Sequence, residues 1–316
     1  MASILTNVSA MTALQSLNKT NMSMEATQRR ISTGYRVGSA EDNAAYWSIA
    51  TTMRSDNSAL STVKDALGLG AATIDVAYTA TNSAIDVTKE IKNKLVAARQ
   101  PGVDRTKIQS EITELQNQLQ SIAGSANFSG ENWLSTDSSA PGYNATKSIV
   151  SSFSRTGGNI TIGIISVDVT GLTFYDAGAG AAEVGIIDGL RDATGAIDTG
   201  GGGTFSVATL DISALTDSAA DITSLEEYIV GVDKSLSEMT NSASTLGAIK
   251  QRVTLQQSFV SALMDAVDRG ISTLVDADMT AESTRLQALQ VQQQLGIQSL
   301  SIANQNSQNI MALFQQ

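Results

Sequence analysis

Any chemistry in this chain must proceed without histidine or cysteine, since its 316 residues contain neither. The commonest general base and zinc ligand is therefore missing, as are thiolate sites, disulfides and thiol redox chemistry. Gly178 and Gly180 match the opening of a dinucleotide fingerprint, but Glu183 stands where its third glycine belongs, so a flexible acidic loop is the better reading. Asp276 and Asp278 offer carboxylates to a cation, yet acidic residues near a helix start are better explained by the helix dipole. Asn144-Ala-Thr146 and Asn159-Ile-Thr161 fit the glycosylation pattern, which is common by chance in a chain so rich in Ser and Thr. There is no phosphate-binding Walker loop and no nucleophile elbow. No catalytic, cofactor-binding or metal-binding residue is assigned, no cofactor is expected, and the chain does not read as an enzyme.

What remains is the chemistry of amides. Residues 286–316 contain no charged side chain, while 13 of them are Gln or Asn. Leu286, Leu289, Gln293, Gly296, Leu300, Ala303, Ser307, Ile310 and Phe314 recur at alternating steps of four and three, a helical stripe too thin to make a core. A solvated helix normally carries charge, and a membrane span needs about 20 mainly apolar residues. A helix packed among copies of itself fits better, since charges there would meet like charges whereas amides can pair. Residues 1–18 are also uncharged, with Ile4, Val8, Met11, Leu14 and Leu17 at helical spacing. Two neutral amphipathic ends predict a subunit whose termini meet inside an assembly and become ordered against neighbours.

The net charge of −11 argues against nucleic acid or an anionic membrane as partner. The N-terminus has no basic region or apolar stretch of the secretory kind, which alone predicts a cytoplasmic protein. Along the chain, residues 19–36 carry Arg29, Arg30 and Arg36; Gly34 and Gly38 interrupt the helix, and Ser39 with Asp42 fits a capping box. A heptad face from Ile49 to Leu95 is apolar at ten of fourteen positions, and Pro101-Gly102 ends it. A shorter helix follows, with Ile108, Ile112, Leu115, Leu119 and Ile122 in a four-three pattern. Residues 127–134 read as a turn and short strand. The segment 141–221 holds 14 of the 25 glycines and nine of the acidic residues, and reads as a β-rich, solvent-facing and dispensable insertion. A second long face, from Leu225 to Leu274, is apolar at thirteen of fifteen positions. The predicted fold is mainly α, an elongated helical bundle or coiled coil formed by both termini with a small β-rich outer domain.

Arg30-Ile-Ser-Thr-Gly34-Tyr-Arg36-Val-Gly-Ser-Ala-Glu-Asp42-Asn-Ala-Ala45 resembles the N-terminal signature of bacterial flagellins. Met279-Thr-Ala-Glu-Ser-Thr-Arg285 and Gln294-Leu-Gly-Ile-Gln-Ser-Leu300-Ser-Ile-Ala-Asn304-Gln-Asn-Ser-Gln-Asn-Ile310 resemble their C-terminal signature. The likeness spans about residues 1–135 and 222–316. Tyr46-Trp47 and Asn127-Phe-Ser-Gly130-Glu-Asn-Trp133 are similar to the flagellins of plant- and soil-associated alpha-proteobacteria. The resemblance implies an inner coiled-coil tube from residues 1–40 with 276–316, an outer helical tube from 41–140 with 222–275, and a variable β-rich surface from 141–221. It implies a secreted subunit that leaves unfolded through the flagellar export apparatus without a cleaved signal. The subunit would then polymerise with itself, and in some cases with other flagellins, into an extracellular filament for motility. An export chaperone, the filament cap and hook-junction proteins are the further partners implied; nucleic acid and membrane are not. A hook–filament junction protein shares both ends, and a secreted adhesive rod is the rival from another class.

Flagellins recognised by the animal Toll-like flagellin receptor carry a stretch like Gln-Arg-Ile-Arg-Glu-Leu-Ala-Val at the end of the first long helix, with receptor contacts from Arg and Leu. Here the matching segment is Glu90-Ile-Lys-Asn-Lys94-Leu-Val96, in which Glu90 replaces the Arg and Lys94 the Leu; a one-residue shift restores a leucine but puts Ile91 where the Arg belongs, so the cation is lost either way. The resemblance therefore implies weak recognition. On the residues alone, Glu90 and Lys94 are an exposed pair one helical turn apart.

Overall fold

The computed structural model describes residues 7–178, 185–198 and 203–314, with side chains as far as Gln305. The chain is mainly helical with a strand-containing insertion, and its described ends are helices. The order is α1 (Val8–Thr33), α2 (Ala44–Ala98), α3 (Arg105–Ser125), β1 (Asn127–Phe128), β2 (Glu131–Asn132), β3 (Ser135–Thr136), β4 (Thr146–Thr156), β5 (Asn159–Asp168), β6 (Tyr175–Asp176), α4 (Ala219–Val275) and α5 (Met279–Phe314). Contacts divide the chain into two compact units, Met1–Ser58 with Met264–Gln316, and Ala59–Leu263. The division falls within α2 and α4, whereas the sequence-based boundaries at 40 and 276 mark the breaks between helices.

In the second unit, α2 and α4 run antiparallel, as Lys64–Ser261, Asp75–Lys250, Lys92–Asp233 and Arg99–Glu226 all show. The α2 heptad is buried at Leu60, Val63, Leu67, Ile74, Ala77, Ala84, Ile91 and Leu95, and α4 answers with Leu225, Val232, Met239, Leu246, Val253 and Val260. The polar members of the α2 seam have specific reasons. Thr81 and Thr88 return their hydroxyl protons to the carbonyls of Ala77 and Ala84, both at 2.8 Å, so burial leaves no donor orphaned. Gly70 makes room for a strand, since a Cβ there would lie 2.5 Å from Ile149 Cγ2. Between α3 and the rest, β1 and β2 form a tight hairpin turned through Ser129 and Gly130, both at positive φ. The β4–β5 ribbon is antiparallel with a bulge between Val150 and Ser152, and β3 pairs with β6 in parallel.

Two expectations are corrected. Ser39 and Asp42 do not start α2. The Asp42 carboxylate instead accepts the amides of Gly38 and Ser39, closing a turn, and Asn43 caps the helix by accepting from Ala45 and Tyr46. The segment 141–221 is not simply a solvent-facing cover, because Phe174, Ile187, Phe205, Val207, Leu210 and Ile212 are buried in one cluster with α2, α3 and α4. Their polar backbone is matched from α3, where the Gln116 amide donates to the carbonyls of Val207 and Leu210 at 3.0 Å. Composition hid this, since the glycines and acids of the segment mask a sparse set of core residues.

The keystone of that packing is Arg191, which is fully buried. Its guanidinium donates to the carbonyls of Gly195 and Ile186 and to Glu238 Oε2 on α4, each at 2.7 Å. Removing the charge strands two carbonyls and a carboxylate. Arg191→Met is expected to cost about 3 kcal/mol in urea unfolding followed by Trp133 fluorescence, and Arg191→Lys to recover part of it through Glu238 alone.

Candidate subunit-packing site

α1 begins at Asn7, whose side chain accepts from the Ala10 amide, and stops at Gly34 in the left-handed conformation (φ 75°), whose N–H reaches the Arg30 carbonyl. α5 begins at Asp278, whose carboxylate accepts from the amides of Thr280 and Ala281. The two helices lie antiparallel. Asn7 Nδ2 donates to the Ala303 carbonyl at 3.0 Å, Gln293 Nε2 to Asn21 Oδ1 at 2.8 Å, and Arg30 pairs with Glu282 at 3.0 Å. Midway the pair closes tightly, for a Cβ on Gly296 would meet Leu17 Cδ1 at 3.2 Å. The amides of the stripe thus bond across the seam.

From Met279 to Gln305, the residues that escape exposure are Glu282, Leu286, Leu289, Gln293, Gly296, Leu300 and Ala303, which form one stripe facing α1. On α1 the covered stripe is Ala10, Ala13, Leu17, Thr20, Met24, Thr27 and Ile31. Of the α1 residues picked out by sequence, Leu17 lies in this seam. Val8, Met11 and Leu14 do not, and with Met22 they stay exposed on the far side, Val8 by 68%. The reason is that alanine and threonine allow closer approach than the bulkier stripe. A second apolar stripe that sequence reading missed runs down the back of α5 through Val291, Leu295 and Ile302, all exposed. Its period of four and seven residues was the available signal, hidden by intervening glutamines. Ile4 lies outside the described residues; Ile310 and Phe314 belong to α5, with side chains outside the described set.

The signature residues gather where four helix ends meet within this unit. Arg36 donates to the Thr273 and Leu274 carbonyls, supplying the cation that the last turn of α4 lacks. The Gly34 carbonyl accepts from Ala277, and the Val275 carbonyl from Arg36 and Val37. The backbone donors of Gly38 and Ser39 hold the Asp42 carboxyl below its ordinary range. Glu282, at the positive end of α5, pairs with Arg30 in the last turn of α1, so each charge also suits its helix dipole. Asn304 is exposed. In the other unit, Lys94 Nζ lies 2.6 Å from Glu111 on α3 and 3.8 Å from Glu90. Glu111, which sequence reading overlooked, is the main cause of the raised Lys94 pKa. Among the described residues no cluster suited to a metal ion occurs, and no helix is long and apolar enough to cross a membrane.

Comparison with known proteins shows the family of the chain. A family model described as the bacterial flagellin N-terminal helical region matches residues 4–139, and one described as the bacterial flagellin C-terminal helical region matches residues 229–314. The chain belongs to the flagellin family. It is 51% identical to Flagellin C of Rhizobium meliloti (strain 1021) over 325 residues, covering 100% of both chains. It is 43% identical to the flagellin of Brucella melitensis biotype 1 over 315 residues, covering 99% of each. A crystal structure of Bacillus cereus flagellin is similar at 14% identity and a TM-score of 0.38, covering 63% of this chain and 88% of that one. As a flagellin, the chain is a structural subunit of the extracellular bacterial flagellar filament, a helical polymer used for motility.

The tight contact at Gly296 gives a direct test of the seam. Gly296→Leu is expected to force α1 and α5 apart at a cost of about 1–3 kcal/mol, read as a lower melting temperature of the assembled filament. Adding Leu17→Ala should restore much of the loss, because it removes the side chain that the new leucine strikes.

Proposed function

We propose that the α1–α5 pair is the polymerising element of this flagellin and forms the inner wall of the filament. In this reading residues 1–40 with 276–316 make the inner coiled-coil tube, 41–140 with 222–275 the surrounding helical tube, and the exposed face of 141–221 the outer surface, while the buried residues of that segment complete the core of the helical tube. The observation that carries it is the pair of apolar stripes left on the backs of α1 and α5, on helices whose segments 8–18 and 286–314 bear no charge. Each helix covers one stripe with its partner, and neighbouring copies supply cover for the other. Val8, Met11 and Leu14, with Ile4, then face neighbours, as do Val291, Leu295 and Ile302, while Leu286, Leu289 and Leu300 hold the pair together and Ile310 and Phe314 extend it. A charge-free lining lets unfolded chains traverse the lumen without electrostatic trapping. Copies of the chain or of other flagellins are its partners; an export chaperone, the filament cap and hook-junction proteins meet the same ends. The reading gives the chain no reaction to catalyse.

Val291→Asp is expected to abolish filament growth while leaving secretion and monomer helicity intact, because it charges a face that meets copies of itself. Leu300→Asp should also stop growth while leaving secretion intact, since Leu300 lies in the seam that orders on assembly. Electron microscopy reads both variants, and normal filaments from Val291→Asp would overturn the assignment.

Glu90 and Lys94 mark the segment that diverges from receptor-recognised flagellins, and the Lys94–Glu111 pair ties it to α3. Charge reversal at a receptor contact replaces attraction with repulsion. Purified monomer is expected to activate the animal Toll-like flagellin receptor weakly or not at all in a reporter-cell assay, and a response at ordinary agonist concentrations would refute this.

A further inference from the structure

The β4–β5 ribbon changes sides along its length. At its base the apolar residues Ile149, Ile165 and Val167 are buried, with Ile149 against Gly70 of α2. Beside them the Ser151 carbonyl accepts from Gln256 of α4 at 3.0 Å. Beyond the bulge between Val150 and Ser152, this inward face becomes polar: Ser152 pairs with Gly163 and Ser154 with Thr161, whose hydroxyls are 2.6 Å apart. The other face becomes apolar there. Val150 stands opposite Ile164, Phe153 opposite Ile162 and Arg155 opposite Ile160, and directly opposed residues share a face. Ile160, Ile162 and Ile164 are 55%, 62% and 57% exposed.

A ribbon that needed only its own helices would stay apolar on one side throughout. Here the inward side is already held by α2 and α4, so the chain's own helices do not cover the isoleucines. β5 has β4 as its strand partner, and between Asn159 and Val167 it bears no charge or proline of the kind that protects an open edge. The same unit carries a second uncovered apolar feature. Leu255 and Phe259 lie one turn apart on α4 and are 66% and 59% exposed, while Val253 and Val260 of the inward side are buried. Subunits of a helical polymer meet through heterologous contacts, in which two different patches of each copy engage.

We infer that the apolar face of the β4–β5 ribbon docks onto a second copy of this chain, at Leu255 and Phe259 of its α4. The inference rests on the chain polymerising, and not on which helix pair drives growth. A patch of about five side chains falls short of the roughly 1,200 Å² that a stable pair of proteins buries. The contact therefore leaves free subunits monomeric and forms in the filament, where other contacts raise the effective concentration.

The absence of native cysteine makes a clean test possible. Ile162→Cys chains and Phe259→Cys chains are co-polymerised, oxidised and run on a non-reducing gel. Covalent dimers from the mixed filaments, absent from mixed monomers and from filaments of either variant alone, are the expected result. Dimers from Ile162→Cys filaments alone would pair ribbon with ribbon and overturn the assignment. So would mixed filaments that give no dimers and whose Ile162→Cys thiol reacts with maleimide as fast as in the monomer. Should either variant fail to polymerise, hydrogen exchange on the unaltered chain decides: β5 amides are expected to exchange at least about tenfold more slowly in filaments than in monomers, and equal rates would overturn the inference. Loss of growth in Val291→Asp bears on the inner helices alone, so the two readings fail separately.

Discussion

An α-helix offers one stripe to one partner, and α1 and α5 each carry two. Seven positions on α5 face the covered side of α1, where small residues let the backbones approach. This leaves the bulkier Val8, Met11, Leu14, Val291, Leu295 and Ile302 in water. Burial is worth about 25 cal/mol per Å² of apolar surface, so a pair this thin gains little by itself and much from neighbours. The missing charges follow from the same geometry, because a formal charge on the back of either helix would be repeated in every copy and desolvated at each contact. Glutamine and asparagine keep the helices polar, and Gln293–Asn21 shows the kind of bond that replaces an ion pair.

The charges around the signature sit at helix ends. Arg30, Arg36, Asp42, Asp278 and Glu282 all serve termini or the turn that joins them, either through backbone groups that a helix leaves unpaired or through its dipole. The strongest sequence signature thus consists of capping chemistry and has no reacting group in it. Arg191 plays the corresponding part in the other unit, where a buried guanidinium gathers two backbone carbonyls and Glu238 and so lets a glycine-rich segment contribute to a core.

The ribbon repeats the logic of the inner helices with strands. Its inward face is completed by the chain's own α2 and α4, and its outward face keeps isoleucines that are exposed among the described residues. In both places one copy leaves apolar surface exposed, as the proposed contacts between copies require.

The helices were legible in the sequence because their periodicity is set locally: the Ile49–Leu95 and Leu225–Leu274 faces and the 286–303 stripe all depend on 3.6 residues per turn and on nothing distant. The identity of the chain was legible for a related reason, since capping residues occupy fixed offsets from helix ends. The tertiary structure alone decided which of two α1 stripes closes on α5, because both have helical spacing and share Leu17, and only the covering of Ala10, Ala13 and Thr20 against the exposure of Val8, Met11 and Leu14 tells them apart. It decided that Asn43, and not Ser39, caps α2, a choice between polar residues four positions apart set by where the chain must turn. It also decided that Phe174, Phe205 and Ile212 belong to the core and that Lys94 answers to Glu111. These are contacts between residues far apart in the chain, and no local period records them.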